Sequence, residues 1–167
     1  MVGRINNLRL GESILLGREP LQRQPIAGLF TNAFTLIAEV IESNRKPGQP
    51  CGEQRQSAFA VAQTSRSQQP NLAGAGAHQN GGDRWRSLLA LGVQDVDPAG
   101  LAPPDGMAVL GASSDHLVLD TGAIAVPVGT ELAFQVNYAA LLRAMTSPFI
   151  SRTMVRPNSD RFSPADK

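Results

Sequence analysis

Apolar residues at the amino terminus gather on either side of Gly11-Glu12-Ser13, with Leu8 and Leu10 before it and Ile14 to Leu16 after it. Small and polar residues between two apolar stretches predict a turn, so Ile5 to Gly17 is expected to be a strand end followed by a loop. Phe34 to Glu42, Phe-Thr-Leu-Ile-Ala-Glu-Val-Ile-Glu, alternates in the manner of a strand, and Lys46-Pro47-Gly48-Gln49-Pro50 breaks it. Gln63 to Arg84 holds Ser, Gln, Asn, Gly and Ala with almost no large apolar side chain. Burial cannot offset the entropy of ordering such a segment, and a mobile loop is expected. Order should resume at Trp85, where an apolar stretch to Leu91 leads into Gly92-Val93-Gln94-Asp95; Pro98, Pro103 and Pro104 then predict an irregular connection.

Three strands are predicted close together, Met107 to Leu110, His116 to Asp120 and Glu131 to Val136. Tyr138 to Met145 carries Leu141, Leu142 and Met145 at helical spacing and predicts one short helix, which Pro148 ends. Phe149 to Val155 reads as a last strand, and the polar tail from Arg156 lacks apolar residues to pack. Four to six strands with one or two short helices amount to a mainly β fold, a compact barrel or sandwich.

Composition agrees with that reading. In 167 residues, 42% are hydrophobic and only 17% charged, while 16 Gly and 12 Pro favour turns over long helices. That length suits a single core. Net charge is +1 and the 15 basic residues are dispersed, so no electrostatic footprint for nucleic acid is present. The single cysteine, Cys51, has no internal disulfide partner, no secretory signal opens the chain, and no apolar run approaches the roughly 20 residues of a spanning helix. A cytoplasmic, soluble protein is expected. His78 lies in the predicted mobile loop away from His116, so no metal site is expected.

Several local patterns occur in an informative order: Asn-Leu-Arg-Leu-Gly-Glu-Ser-Ile-Leu-Leu-Gly from Asn7, Lys-Pro-Gly-Gln-Pro-Cys-Gly-Glu from Lys46, Gly-Ala-Ser-Ser-Asp-His-Leu from Gly111, and Asn-Tyr-Ala-Ala-Leu-Leu-Arg-Ala-Met-Thr-Ser from Asn137. Over residues 4 to 155 the chain resembles the carboxyl-terminal part of the alanine/ornithine racemase family. These are fold type III pyridoxal 5'-phosphate enzymes that join a (β/α)8 barrel to a β domain. The resemblance implies that residues 1–30 are the end of such a barrel, 31–155 the β domain with 63–84 as its mobile loop, and 156–167 a disordered tail. It also implies a homodimer acting on an amino acid.

The same resemblance suggests roles for individual residues. Arg9 matches an arginine that faces the cofactor's pyridine nitrogen. Because a guanidinium does not surrender its proton, it leaves that nitrogen unprotonated and weakens the ring as an electron sink. Gly11 and Glu12 match a turn whose backbone N–H groups meet the phosphate, an approach that glycine permits. Tyr138, the only tyrosine, matches a residue whose hydroxyl touches the same phosphate. Ser114 and Asp115 match a loop that holds the substrate carboxylate in the partner subunit's site. Taken apart from the resemblance, Arg9 is equally a surface arginine, Tyr138 a packed tyrosine at a helix start, and Asp115-His116 a hydrogen-bonded turn.

Two departures from the family stand out. Where alanine racemases carry Gly-Tyr-Ala-Asp, with the tyrosine as second acid/base, this chain has Gly92-Val93-Gln94-Asp95. Valine moves no proton, which leaves the catalytic group open, with Asp95 and His116 as weak candidates, and points away from alanine as substrate. The family's cofactor lysine lies on its first barrel strand, whereas the two lysines here are Lys46 and Lys167. The isolated chain is thus expected to be inactive. The alternative is a non-enzymatic β module used for dimerisation or partner binding.

Overall fold

The computed structural model describes residues 9–47 and 82–155. The predicted mobile loop up to residue 81, the polar tail from 156, Cys51, His78 and Lys167 lie outside the described residues. The fold is mainly β, as the sequence predicts. Six antiparallel strands, β1 (Thr35–Lys46), β2 (Arg84–Leu89), β3 (Leu101–Ala102), β4 (Ala108–Ala112), β5 (Leu117–Gly122) and β6 (Glu131–Val136), form one sheet in the order β3-β6-β1-β2-β5-β4.

Connection length explains the sheet's curvature. Six flat strands would set β3 and β4, its two edges, about 24 Å apart at the usual strand spacing. Those edges are neighbours in sequence, and the segment from Ala102 to Ala108 reaches at most about 22 Å when fully extended. The sheet therefore curls into a nearly closed barrel. The bend falls on β1, whose first half pairs with β6 and whose second half pairs with β2. Between Val40 and Glu42 the register shifts, leaving Ile41 as the extra residue of a bulge, a device that bends a strand.

The alternation in β1 does what its sequence predicts. Leu36, Ala38 and Val40 point inward, and Thr35, Ile37 and Glu39 point out. They meet Phe134, Leu89, Leu117, Leu119 and Val96 in one core. At the far side of β2 and β5, the Arg84 Nε lies 3.0 and 2.9 Å from the two oxygens of buried Asp120. Asp120 also accepts the Gly122 N–H at 2.8 Å, and Gly122 has the left-handed φ of 68° that a residue without a Cβ adopts at little cost.

Three expectations are corrected. Gly11-Glu12-Ser13 does not form a turn between strand and loop but opens a helix, α1 (Glu12–Leu16), with Gly11 as its cap. Arg84, assigned to the mobile loop, is the first residue of β2. Phe149 to Val155 is not a strand: Pro148 lacks a backbone donor, and the Ser147 hydroxyl oxygen accepts the Phe149 N–H at 3.2 Å. The predicted helix is present as α2 (Tyr138–Thr146); it buries Ala140, Leu141 and Ala144, and Leu142 and Met145 face outward. The proline-rich connection also hides a single 3-10 turn, Pro98–Gly100, and the two residues of β3.

Candidate functional site

The position of Tyr138 is set by backbone chemistry one residue earlier. Asn137 is extended and caps α2, its side-chain oxygen accepting the Ala140 N–H at 2.9 Å, the usual third-residue bond of a helix start. Its own N–H donates to the Gly100 carbonyl at 2.8 Å. A Cβ on Gly100 would collide with the Asn137 side-chain oxygen, so the glycine is what lets cap and 3-10 turn pack together. Tyr138 then becomes the first helical residue and its ring reaches across to α1.

There the phenol stands against Gly11. A Cβ on that residue would lie 2.6 Å from the Tyr138 hydroxyl oxygen and 3.2 Å from Cζ. Residues 127 positions apart in sequence are thus apposed. The half-buried hydroxyl forms no hydrogen bond with the described residues, and no side chain caps the start of α1. A donor hydroxyl beside an uncapped turn suits an anion with several acceptor oxygens. Glu12 turns its carboxylate to Arg23, whose guanidinium is 3.2 Å away, yet its Oε1 is buried without a well-aligned hydrogen bond. Its negative charge is therefore partly neutralised, and what Glu12 offers an anion is its backbone N–H. Arg9 is exposed two residues before Gly11.

A second corner collects the remaining candidates. Ser113 to His116 is the turn that joins β4 to β5, closed by the Ser113 N–H to the His116 carbonyl at 2.8 Å. Val93 and Gln94 donate their N–H groups to the carbonyls of Ser113 and Ser114, each at 2.9 Å. Gly92 lies so close that a Cβ would collide with the backbone of Ser114 and Asp115. The position where the family's tyrosine would stand is thereby joined to the predicted substrate loop, a contact invisible in sequence order.

Asp115 is exposed. Its carboxyl is held below the usual aspartate range, chiefly by the Ser114 hydroxyl donating at 2.8 Å, with attraction from His116 adding to it against partial desolvation. The His116 Nδ1 lies 3.5 Å from the Asp115 carboxylate, an ion pair when the imidazole is protonated. Asp95 is buried, and both oxygens are engaged within the fold: one accepts the Gly92 N–H at 3.1 Å, the other the Ser147 hydroxyl at 3.1 Å. Such a carboxylate holds the loop together, and it is the less accessible of the two acid/base candidates. Lys46 lies at the exposed end of β1, 3.9 Å from Glu42.

The two corners lie at opposite ends of α2, whose nine residues extend about 14 Å. Tyr138 opens the helix beside Gly11, and Ser147 closes it beside Asp95. Sequence reading missed Gly92, Gly100 and Ser147. Their only signal was a glycine at a loop start or a serine before Pro148, and neither pattern reveals a partner far along the chain.

Comparison with known proteins adds homology to this geometry. The chain is 41% identical over 150 residues to the lysine racemase of Thermotoga maritima, covering 89% of the chain and 39% of that protein. It is 36% identical over 154 residues to the ornithine racemase of Acetoanaerobium sticklandii, covering 90% of the chain and 40% of that protein. The chain spans about two-fifths of the length of the curated relatives it matches. No family model and no solved structure matches it. The likeness to amino-acid racemases carried by the short motifs therefore extends over about nine-tenths of the chain.

Proposed function

We propose that this chain is the carboxyl-terminal part of a pyridoxal-phosphate-dependent racemase, interconverting the enantiomers of a basic amino acid of the lysine or ornithine kind in the cytoplasm. Residues 1–30 are then the end of a (β/α)8 barrel and 31–155 the β domain packed on it. The observation that carries the reading is the apposition of Tyr138 on Gly11, supported by the two curated relatives.

When bound, the cofactor would withdraw electrons from the amino acid and acidify its α-hydrogen. Tyr138 would donate a hydrogen bond to a phosphate oxygen, and Gly11 and Glu12 would present backbone N–H groups to the same phosphate. Arg9 would hold the ring nitrogen with a permanently charged guanidinium. Ser114 and Asp115 lie at the other corner and, as the family resemblance implies, would serve the site of a second subunit in a homodimer. Val93 holds no proton. Of the two acid/base candidates, His116 is the more accessible, with Nδ1 3.5 Å from the Asp115 carboxylate. Neither Lys46 nor Lys167 matches the family's cofactor lysine, so in this reading a barrel supplies that base and residues 1–167 by themselves are inactive.

Apolar exposure favours such a partner under both readings of the chain, racemase part or non-enzymatic module. The two helices that meet at Tyr138 leave Ile14, Leu15, Leu142 and Met145 facing outward, with Leu29, Phe30 and Phe149 also exposed. Inorganic phosphate and pyridoxal 5'-phosphate distinguish the readings. Titrated into the chain, each should shift the Gly11 and Glu12 amide resonances and the Tyr138 ring resonances together, at millimolar concentration and without racemising lysine. Shifts scattered over other residues, with those three unmoved, would favour the binding module. A visible absorbance band of tightly held cofactor would refute the claim that the barrel is required.

A further inference from the structure

Asp95 is a buried carboxylate that no step of the proposed function uses, and its surroundings give it another task. Gly92 and Asp95 close a single helical turn, with the Asp95 and Val96 N–H groups donating to the Gly92 carbonyl at 3.0 and 3.1 Å. The Asp95 carboxylate reaches back to the Gly92 N–H, the third-residue half of a capping box. Its other oxygen accepts from Ser147, 52 residues away, the residue that ends α2 by donating its own N–H to the Arg143 carbonyl at 3.0 Å. Asp95 and Ser147 are both buried, so neither group exchanges its bond for water at little cost.

We infer that Asp95 is a positioning residue, latching the loop of Val93 and Gln94, the Ser113–Ser114 turn and the carboxyl end of α2 into one rigid unit. The turn is carried along because Gly92 packs flat on the Ser114–Asp115 peptide and because Val93 and Gln94 donate to the Ser113 and Ser114 carbonyls. Since Tyr138 opens the helix whose other end Ser147 closes, the latch also fixes the distance between the two corners. That consequence for catalysis rests on the racemase reading; the latch itself does not.

Amide hydrogen exchange on the full chain tests it without cofactor. Ser147→Ala should speed exchange at the Val93 and Gln94 amides by about tenfold or more, the local opening expected when a charged group loses a buried hydrogen bond. The Val40 amide, bonded to Thr130 in the core ladder, should keep its rate. Ser147→Thr, which retains the hydroxyl, should restore Val93 and Gln94, and Asp95→Ala should loosen them further. Unchanged Val93 and Gln94 rates in Ser147→Ala would overturn the inference. So would a uniform rise that includes Val40, or no recovery in Ser147→Thr. Should Asp95→Ala fail to fold, the two serine variants decide alone. A failed phosphate titration leaves this result standing, and a failed exchange experiment leaves the racemase reading standing.

Discussion

Replacing Gly92 with alanine asks how tightly the two loops of the second corner are pressed together. The added Cβ would meet the Ser114 carbonyl oxygen and the Asp115 N and Cα, all of them backbone atoms that cannot rotate aside. Either the 113–116 turn retreats or the 92–96 turn unwinds. Retreat gives up the hydrogen bonds from Val93 and Gln94, each worth about 1 kcal/mol net, and loosens packing around Leu91 and Val96, both buried. A destabilisation of about 2–4 kcal/mol follows, which for a domain of this size lowers the melting temperature by roughly 5–15 °C. Urea unfolding followed by fluorescence of Trp85, the only tryptophan, measures it. Gly111→Ala is the matched control, since a Cβ there meets nothing within 4 Å, and it should change stability by less than about 0.5 kcal/mol. Equal stabilities for the two variants would refute the claim that Gly92 is required for close approach.

Gly11→Ala should behave differently, because its Cβ meets the far end of a side chain. Tyr138 can swing away, so the stability loss should stay below about 1 kcal/mol while the ring resonances of the only tyrosine move and the phosphate-induced shift is lost. An unmoved Tyr138 ring would show that the phenol does not rest on Gly11. Acid titration reports on the loop after α1, where the Glu19 carboxylate accepts the N–H groups of Leu21, Gln22 and Gln24. These bonds, that of Gln24 foremost, lower its pKa against partial desolvation. A depressed folded pKa means that the ordering is fully present above the ordinary glutamate value and is lost as pH falls through the lower folded one. The three amide resonances should therefore titrate with a midpoint below that of a glutamate in a flexible peptide. A midpoint at or above that value would rule the bonds out.

What the sequence disclosed was the part of the fold written in short periods. The alternation of β1 and the boundaries of β6 could be read from neighbouring residues, because inward and outward positions in a strand differ by one residue. Helix α2 was legible in extent but not in orientation. Leu142 and Met145 face outward, whereas Ala140, Leu141 and Ala144 pack inward, toward the 3-10 turn and β6. Helix α1 was not legible, since five residues are too few to establish a 3.6-residue period and Gly-Glu-Ser is as good a helix start as a turn. The site divided the same way. Tyr138 and Gly11 could be named from their motifs, but their apposition depends on Gly100 accommodating the Asn137 cap, a fact of packing alone.

The outward-facing apolar residues connect these observations to the proposed function. Leu142 and Met145 pack on no core among the described residues. Scattered apolar exposure is ordinary, but here it falls on the two helices that meet at Tyr138 and Gly11, the place proposed above for a phosphate. A polypeptide covering those helices would exclude water from the Tyr138 hydroxyl and from the uncapped start of α1. Lower local dielectric strengthens hydrogen bonds to an anion, so the same contact would both stabilise the barrel and raise affinity for phosphate. The phosphate affinity of the chain alone should accordingly be weak, and it should rise when a barrel polypeptide is bound. Light scattering would detect the complex, and the Tyr138 resonances would report the tighter phosphate. If the complex forms and phosphate affinity stays unchanged, the apolar face serves assembly only and the non-enzymatic reading is the better one.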